Sequence, residues 1–510
     1  MQWLNKIVDE IIARRPDGEI IVSSGVSPSG KYHLGTLREV LTAEVIMREL
    51  KRRGRSIRHL HIVDDLDIFR KIPAGLSADF EKYLGRPLCD VPASDGSERS
   101  YADYFLADLQ EAAVKLNLEM EIVQAHKKYR EGFFVPAIER ALNNVSEIRK
   151  ILEEVSGRKL DDQWSPVQVL EEGYLKNRQF KTINTKSKMI TYLDNNGDEQ
   201  EIDYANGNVK LNWRIDWPAR WWLLKVDVEP FGRDHATKGG SYDTGKVIVR
   251  RIFDLEPPLP VPYNFINRTG ETKKMSKSAG NVITATELLT ILPPEIIWFF
   301  ILQYPPEKLL FFNEGEPLMR LFDEFAELLA KPDKTAQDKQ MIELCLYGVE
   351  KSTVSNVPFS HLVASYQAAL KDADKTLAII GRTEYAEVVQ KDSGVIETEL
   401  AFIDEWLKQW APEEVKFELL EVVDANKLSE ADKAFLNSLA DKIEKASVDA
   451  DGAWFHQAIY ELKDVSGLPP QELFTALYEV LIGKKSGPRA GWFLSILPRD
   501  WLVKRLRLEV

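Results

Sequence analysis

Two apolar runs frame a helical pattern near the start of the chain. Ile20, Ile21 and Val22 in GEIIVSSG are consecutive, as in a parallel strand buried on both faces. Leu34, Leu37, Val40, Leu41, Val45 and Leu50 then recur at helical spacing, Gly54 supplies a stop, and Ile57 to Val63 returns to a strand pattern. Strand, helix and strand in that order make one βαβ unit, and a ligand is expected at the carboxyl ends of its strands. A second such region begins near Leu211: WWLLKVDVEPFGRDH predicts a strand ending near Glu229, TKGGSYDTGKVIVRRIF a helix, and VPYNFI another strand. Between the two regions, NTKSKMITYLDNNGDEQEIDYANGN is polar and rich in Asn and Gly, and predicts a small β hairpin within an insertion. From about Pro305 the strand signals fade and amphipathic helical patterns run to the end. The pattern therefore predicts an α/β domain over 1–305, its parallel sheet split by an insertion at about 85–210, and an all-α domain over 306–510.

Charge and cysteine content limit what such a chain can do. No run of eighteen apolar residues occurs, and MQWLNKIVDEIIARR lacks the basic-then-apolar order of a secretion signal, so a cytoplasmic protein without membrane contact is expected. Only Cys89 and Cys345 are present, without any CxxC, so neither a disulfide framework nor a cysteine zinc site is indicated, and no metal ligand set is expected. The formal net charge of −13 argues against indiscriminate coating of nucleic acid, because phosphate affinity comes from clustered Lys and Arg. Two basic stretches stand out against it: KRRGRSIR at 51–58, and the end from Leu481, where seven Lys or Arg face two acids. Each is either a solvated face or a path for a polyanion.

The segment SPSGKYHLGT at 27–36 fills the turn between the first strand and its helix. Gly30 and Gly35 let backbone approach a ligand, the helix N-terminus favours anionic phosphate, and His33 can donate to a phosphate oxygen. Taken alone, this is equally well read as a structural turn. ETKKMSKSAGN at 271–281 follows a late strand of the same sheet. Its serines and glycine let a loop close, and Lys274 and Lys277 can then neutralise charge developing on a pyrophosphate leaving group.

HLGT at 33–36, with Pro28 before it, resembles the HIGH signature of the class I aminoacyl-tRNA synthetases, and KMSKS at 274–278 matches their second signature in full; Thr36 departs from the final His. SSGVSPSG, DDLDIFRK, RIDWPARWW at 214–222 and EPFGRDHATKGGSYDTG at 229–245 resemble the archaeal-type class I lysyl-tRNA synthetase family, over essentially the whole chain. The resemblance implies a Rossmann-type catalytic domain, an insertion that binds the acceptor stem, and an α-helical anticodon-binding domain. It implies a ligase that activates L-lysine with ATP and Mg2+ and transfers it to tRNA(Lys). Its catalytic residues would be His33, Gly35, Lys274 and Lys277; Pro28, Gly30, Thr36, Met275, Ser276 and Ser278 would join them around ATP. Gly25 and Ser27 would line the adenylate and lysine pockets, with Trp213, His235 and Tyr263 holding lysine. Relatives often carry cysteine zinc clusters in the insertion, but 165–212 contains no cysteine here, so no zinc is expected. GKKSGPRAGWFLSIL at 483–497 resembles a piece of the helical anticodon cage of glutamyl enzymes, which makes Arg489, Trp492 and Phe493 candidate anticodon contacts; a turn capping a helical bundle is the alternative.

A lysine side chain needs its stem packed on apolar surface and its ammonium met by an anion or an aromatic face. Trp213, Trp217 and Tyr263 supply faces, and Asp64, Asp216, Glu229 and Asp234 are candidate counter-charges among which the sequence does not choose. Tryptophans in such a block also serve as core, and Arg–Asp pairs as structural salt bridges. Three rival functions remain. A glutamyl or glutaminyl synthetase of the same class would want a cation in its pocket. A small nucleotidyltransferase would not need the helical residues after KMSKS. A catalytically silent tRNA-binding paralogue would not need His33, Gly35, Lys274 and Lys277 intact.

Overall fold

A computed structural model describes residues 1–73, 75–161, 164–269, 283–447 and 450–510, with only the backbone described at Asp464 and Val465; KMSKS at 274–278 lies outside the described residues. The chain divides into two compact units, Met1–Leu289 with Phe300–Phe311, and Thr290–Phe299 with Phe312–Val510.

The first unit starts with α1 (Gln2–Arg14), β1 (Ile20–Val26), α2 (Leu34–Arg52) and β2 (Ile57–Val63). After α3 (Tyr101–Lys115) comes β3 (Glu121–Gln124), then three short helices, α4 (Ala125–Arg130), α5 (Val135–Asn143) and α6 (Val145–Ser156). Six antiparallel strands follow, β4 (Val167–Glu171), β5 (Tyr174–Asn177), β6 (Gln179–Asn184), β7 (Met189–Leu193), β8 (Glu199–Asp203) and β9 (Val209–Leu211). They form two three-stranded sheets, β5-β4-β9 and β6-β7-β8. The chain then returns through α7 (Trp213–Leu224), β10 (Val228–Gly232), α8 (Ser241–Arg251), β11 (Leu259–Tyr263) and β12 (Ile266–Arg268).

The main sheet is parallel, in the order β11-β10-β1-β2-β3. Strand order runs outward in both directions from β1, so the crevice beyond the carboxyl ends of β1 and β10 is the topological switch point, where ligands bind in open α/β sheets. In register, Val22 lies opposite His59 on one side and Val228 on the other. Helix α2 packs on β1, β2 and β10 and also meets α1, so it is buried nearly all round, its charged residues included. Two of those charges have partners: Glu44 accepts from His59 Nδ1 at 2.7 Å and the Glu119 backbone N–H at 2.8 Å, and Arg48 donates to the Asn117 carbonyl at 2.8 Å.

Two features differ from the sequence reading. WWLL lies on a helix: Trp213, Trp217 and Trp221 are spaced four apart on one face of α7, and the strand is confined to β10. The segment read as insertion also supplies β3, the fifth strand of the parallel sheet.

The second unit is helical. Its longer members are Glu316–Ala330, Ala386–Gln409, Glu430–Glu444 and Pro470–Ile482. Helices Gly452–Glu461 and Ala490–Ile496 cross so closely that a Cβ on Gly491 would lie 2.2 Å from the Gly452 carbonyl oxygen. Only glycine fits that crossing. Among the described residues, no single helix is long and apolar enough to cross a membrane.

Candidate active site

His33 ends the loop after β1 and is the N-cap of α2. Its Nδ1 accepts the Gly35 N–H at 3.0 Å, and Thr36 Oγ1 accepts the His33 N–H at 2.8 Å, closing a reciprocal cap. Because Nδ1 is an acceptor, the proton of the neutral ring sits on Nε2, a donor suited to a phosphate oxygen. A side chain at Gly35 would meet the ring, with a Cβ 2.9 Å from His33 Cε1, so the glycine sets the ring's position. The chain leaving the KMSKS segment is fixed at this same turn. His33 and Thr284 form an antiparallel bridge, and the Ala285 N–H donates to the Tyr32 carbonyl at 2.9 Å.

A cavity of about 500 Å3 opens here, with His33, Gly35 and Thr36 on one side, Phe265 and Ile266 on another, and Arg70 and Lys71 at its edge. His61 forms part of its floor. His59 Nδ1 lies 2.7 Å from a Glu44 carboxylate oxygen, and Ser24 Oγ lies 2.8 Å from both His59 Nε2 and His61 Nδ1. Burial, aided by His59, pulls the His61 pKa down to about 3 and keeps the ring neutral.

A second cavity, about 360 Å3, adjoins the first through Val26, Ser27, Glu39, Asp67 and Arg70. Its aromatic wall is Trp213 stacked on Trp217 (5.3 Å between centroids, 12°), with the His235 ring 6.0 Å and 5.5 Å from the two. Charge in its wall divides into two kinds. Asp64, Asp67 and Asp216 share Lys210 and Arg220: Lys210 Nζ lies 2.6 Å from Asp67 and 3.6 Å from Asp64, while Arg220 lies 2.9 Å from Asp64 and also pairs with Asp216. Glu229 and Glu39 have no Lys or Arg within ion-pairing distance among the described residues. Glu229 is buried and accepts hydrogen bonds from the indoles of Trp217 (3.0 Å) and Trp221 and, more weakly, from Ser23 (3.4 Å). Burial raises its pKa. Glu39, on α2, accepts from the Gly25 N–H and the Tyr263 hydroxyl, both at 2.7 Å. Burial, with smaller contributions from Glu229 and Asp234, pushes its pKa up to about 8 against the pull of those two hydrogen bonds.

The structure gathers His33, Gly35, Thr36 and Ser27 on the first cavity, and Gly25, Ser27, Trp213 and His235 on the adjoining one. Pro28 and Gly30 are buried within the turn and line neither; Ser29 faces the first cavity instead. Tyr263 lines the first cavity and reaches the other through Glu39. Lys274, Met275, Ser276, Lys277 and Ser278 lie outside the described residues. Of the four candidate counter-charges, Asp64 and Glu229 line the second cavity; Asp64 pairs with Lys210 and Arg220, and Glu229 has no ion pair among the described residues. Glu39 and His61 were not singled out from the sequence. In the helical unit, Arg489 and Trp492 line a cavity of their own, whereas Phe493 is fully buried against Phe417 and presents no surface to a base. Four of the five basic residues at 51–58 meet carboxylates, Lys51 with Glu119, Arg52 and Arg53 with Glu49, and Arg58 with Glu121, and Arg55 donates to the Arg15 carbonyl at 2.8 Å. Among the described residues, no group of three or more His, Cys, Asp or Glu could hold a metal ion.

A parallel sheet with a capped histidine turn at its switch point and an adjoining aromatic, acidic pocket is the architecture of a nucleotide-dependent synthetase. The family model described as "tRNA synthetases class I (K)" matches residues 1–352, and one described as "Anticodon binding domain" matches 397–509. The chain belongs to the class I (K) tRNA synthetases. Among its relatives, a protein named lysine–tRNA ligase 1 from Methanosarcina acetivorans is 35% identical over 99% of this chain and 98% of that protein. A lysine–tRNA ligase from Archaeoglobus fulgidus is 35% identical over 99% of both chains. One from Thermococcus kodakarensis is 34% identical over the full length of both.

Proposed function

We infer that this chain is a lysine–tRNA ligase: it activates L-lysine with Mg2+·ATP and transfers the lysyl group to the 3′ end of tRNA(Lys), in the cytoplasm. The observation that carries this reading is the pair of acids, Glu39 and Glu229, that form no ion pair among the described residues, in a cavity walled by Trp213 and Trp217. Lysine brings two ammonium groups on one apolar stem. The tryptophans take the stem, Glu229 meets the ε-ammonium, and Glu39 meets the α-ammonium where the two cavities join. Glutamate would bring like charge to the same wall, which argues against the glutamyl alternative.

In the first step a lysine carboxylate oxygen attacks the α-phosphorus of ATP, the bond to the β-phosphate oxygen breaks, and pyrophosphate leaves. His33 donates from Nε2 to the phosphates, the α2 N-terminus adds its positive dipole end, and Lys274 and Lys277 neutralise the leaving group. Gly35, Thr36 and Ser27 hold the turn and the bound nucleotide against it. In the second step the terminal ribose hydroxyl of tRNA attacks the acyl carbon, its proton passes to solvent, and AMP leaves. No covalent enzyme nucleophile takes part; positioning and electrostatics perform the catalysis. Residues 1–305 are assigned to this chemistry, with the insertion at about 85–210 gripping the acceptor stem and 306–510 the anticodon.

Pyrophosphate exchange with each of the twenty amino acids, with and without a lysine-accepting tRNA, tests the reading. Lysine is expected to support exchange, and appreciably only with tRNA present. Efficient exchange with glutamate would overturn the substrate; vigorous lysine exchange without tRNA would remove only the coupling.

A further inference from the structure

The two cavities of the sheet unit share five wall residues, Val26, Ser27, Glu39, Asp67 and Arg70. A ligand in one cavity meets a ligand in the other beside these side chains. Arg70 is the cation among them; Lys71 lines the first cavity alone. The other arginine of the second wall, Arg220, is committed, lying 2.9 Å from Asp64 and pairing with Asp216 as well. Arg70 is held far more loosely. Its one ion pair among the described residues is long, with Nη2 3.9 Å from Asp67 Oδ2, and its side chain is 67% exposed. Asp67 has a closer partner in Lys210, at 2.6 Å, which draws most of its charge away from Arg70.

The backbone beneath this side chain is firmly tied. Residues 64–69 follow β2 and are laced to 85–89: the Phe69 N–H donates to the Arg86 carbonyl at 2.7 Å, the Gly85 N–H to the Phe69 carbonyl at 2.9 Å, and the Leu88 N–H to the Asp67 carbonyl at 2.8 Å. An antiparallel bridge joins Ile68 to Pro87, and the buried Phe69 ring packs edge-on against Tyr101 at 5.2 Å. Arg70 is the first exposed residue after this anchored stretch. Its long stem therefore carries a charged head from a fixed base, and the head moves between the two cavities without any movement of the chain.

Activation of an amino acid needs a cation at such a junction. The attacking carboxylate and the α-phosphate are both anions that must come within bonding distance, and negative charge gathers on the phosphate oxygens as the new bond forms. His33 and the α2 N-terminus serve the nucleotide turn, while Glu39, at the junction, is assigned to the α-ammonium of lysine. The α-carboxylate projects from the same carbon as that ammonium, so it stands at the junction too. We propose that Arg70 is a further catalytic residue, whose guanidinium bridges the lysine carboxylate and the α-phosphate and holds the two anions together through the transition state. The guanidinium stays protonated throughout, and the bonds made and broken remain those of the activation step. This rests on the lysine-charging reading above and names the group that aligns its two reacting anions.

The test uses the full-length protein with a lysine-accepting tRNA. Wild type and Arg70→Ala are assayed for lysine-dependent pyrophosphate exchange, and L-lysinamide is measured in each as a competitive inhibitor; it keeps the stem and both ammonium groups but carries a neutral amide in place of the carboxylate. Arg70→Ala is expected to lower kcat by about a hundredfold or more, the scale for deleting one donor aimed at developing charge, and to leave the lysinamide Ki unchanged. Because the side chain is exposed and loosely held, the urea midpoint should not move. A wild-type kcat in Arg70→Ala would overturn the proposal. So would a lysinamide Ki that rises in step with the loss on lysine, which would place Arg70 in the shape of the pocket and not on the carboxylate. A wild type without lysine-dependent exchange would instead overturn the charging reading on which the proposal rests.

Discussion

Each compact unit holds an aromatic cavity, and the charge left over in the two walls differs: acidic in one, of both signs in the other. In the sheet unit, Lys210 and Arg220 pair with Asp64, Asp67 and Asp216, and among the described residues Glu39 and Glu229 form no ion pair. In the helical unit, three arginines of the basic tail are held by carbonyls or carboxylates, while Arg489 and Glu384, both lining the cavity, have no ion pair among the described residues. Stacked rings alone would describe both places equally well. What separates them is the uncompensated charge, because a matched buried pair presents little field to a ligand and an unmatched one presents a great deal.

Removing the unmatched charge from the sheet-unit cavity should have the largest effect. Glu229→Gln keeps the shape and the indole contacts, and should lower kcat/KM for lysine by about 2–5 kcal/mol, the scale for deleting one partner of a buried charged pair. Steady-state charging at saturating ATP and tRNA measures it, and KM for ATP should stay put. In the helical unit, Gly491→Ala drives a Cβ toward the Gly452 carbonyl oxygen. It should cost at least about 1–3 kcal/mol, read as a lower urea midpoint, and should raise KM for tRNA while leaving KM for lysine alone.

Titration sharpens the comparison further. Glu39 in the empty site has its pKa raised to about 8. An ammonium beside it lowers that value, so lysine binding is favoured above pH 8 and weakens as pH falls below it. Between pH 8 and 7, kcat/KM for lysine should drop by about fivefold, or about 1 kcal/mol; a flat profile would show that Glu39 stays protonated or does not meet the substrate. The smallest effect belongs to a matched charge. Arg58→Ala breaks an exposed pair with Glu121 and should change stability by less than about 1 kcal/mol, with tRNA affinity and its salt dependence unaltered.

How much of this was legible in the sequence depended on how local the determinant was. The turn at 27–36 could be read because glycine, histidine and helix start lie within ten residues. The βαβ unit followed from runs of similar length, and β1, α2 and β2 fall where the pattern places them. Helix α7 was misread because WWLL looks like a buried strand, while the four-residue spacing of its tryptophans is visible only across the longer segment. β3 has four residues, three half-buried and one exposed, and carries no run to detect. Glu229 was one candidate among four. The fact that decides for it, the pairing of Asp64 with Arg220, joins residues 156 apart and exists only in the fold. Glu39 was missed for a related reason: on α2 it reads as an ordinary polar helix position, until Gly25 and Tyr263, 224 residues away, converge on it.

The central claim is that Glu229 reads the ε-ammonium, and the most direct test is a two-by-two comparison. Wild type and Glu229→Gln are each assayed for tRNA charging with lysine and with 6-hydroxynorleucine, which keeps the stem and replaces the ammonium by a hydroxyl. The account predicts that Glu229→Gln sharply lowers kcat/KM for lysine and barely changes it for the hydroxyl analogue. Equal losses on both substrates would contradict it, placing Glu229 in the structure of the pocket and not in contact with the charge.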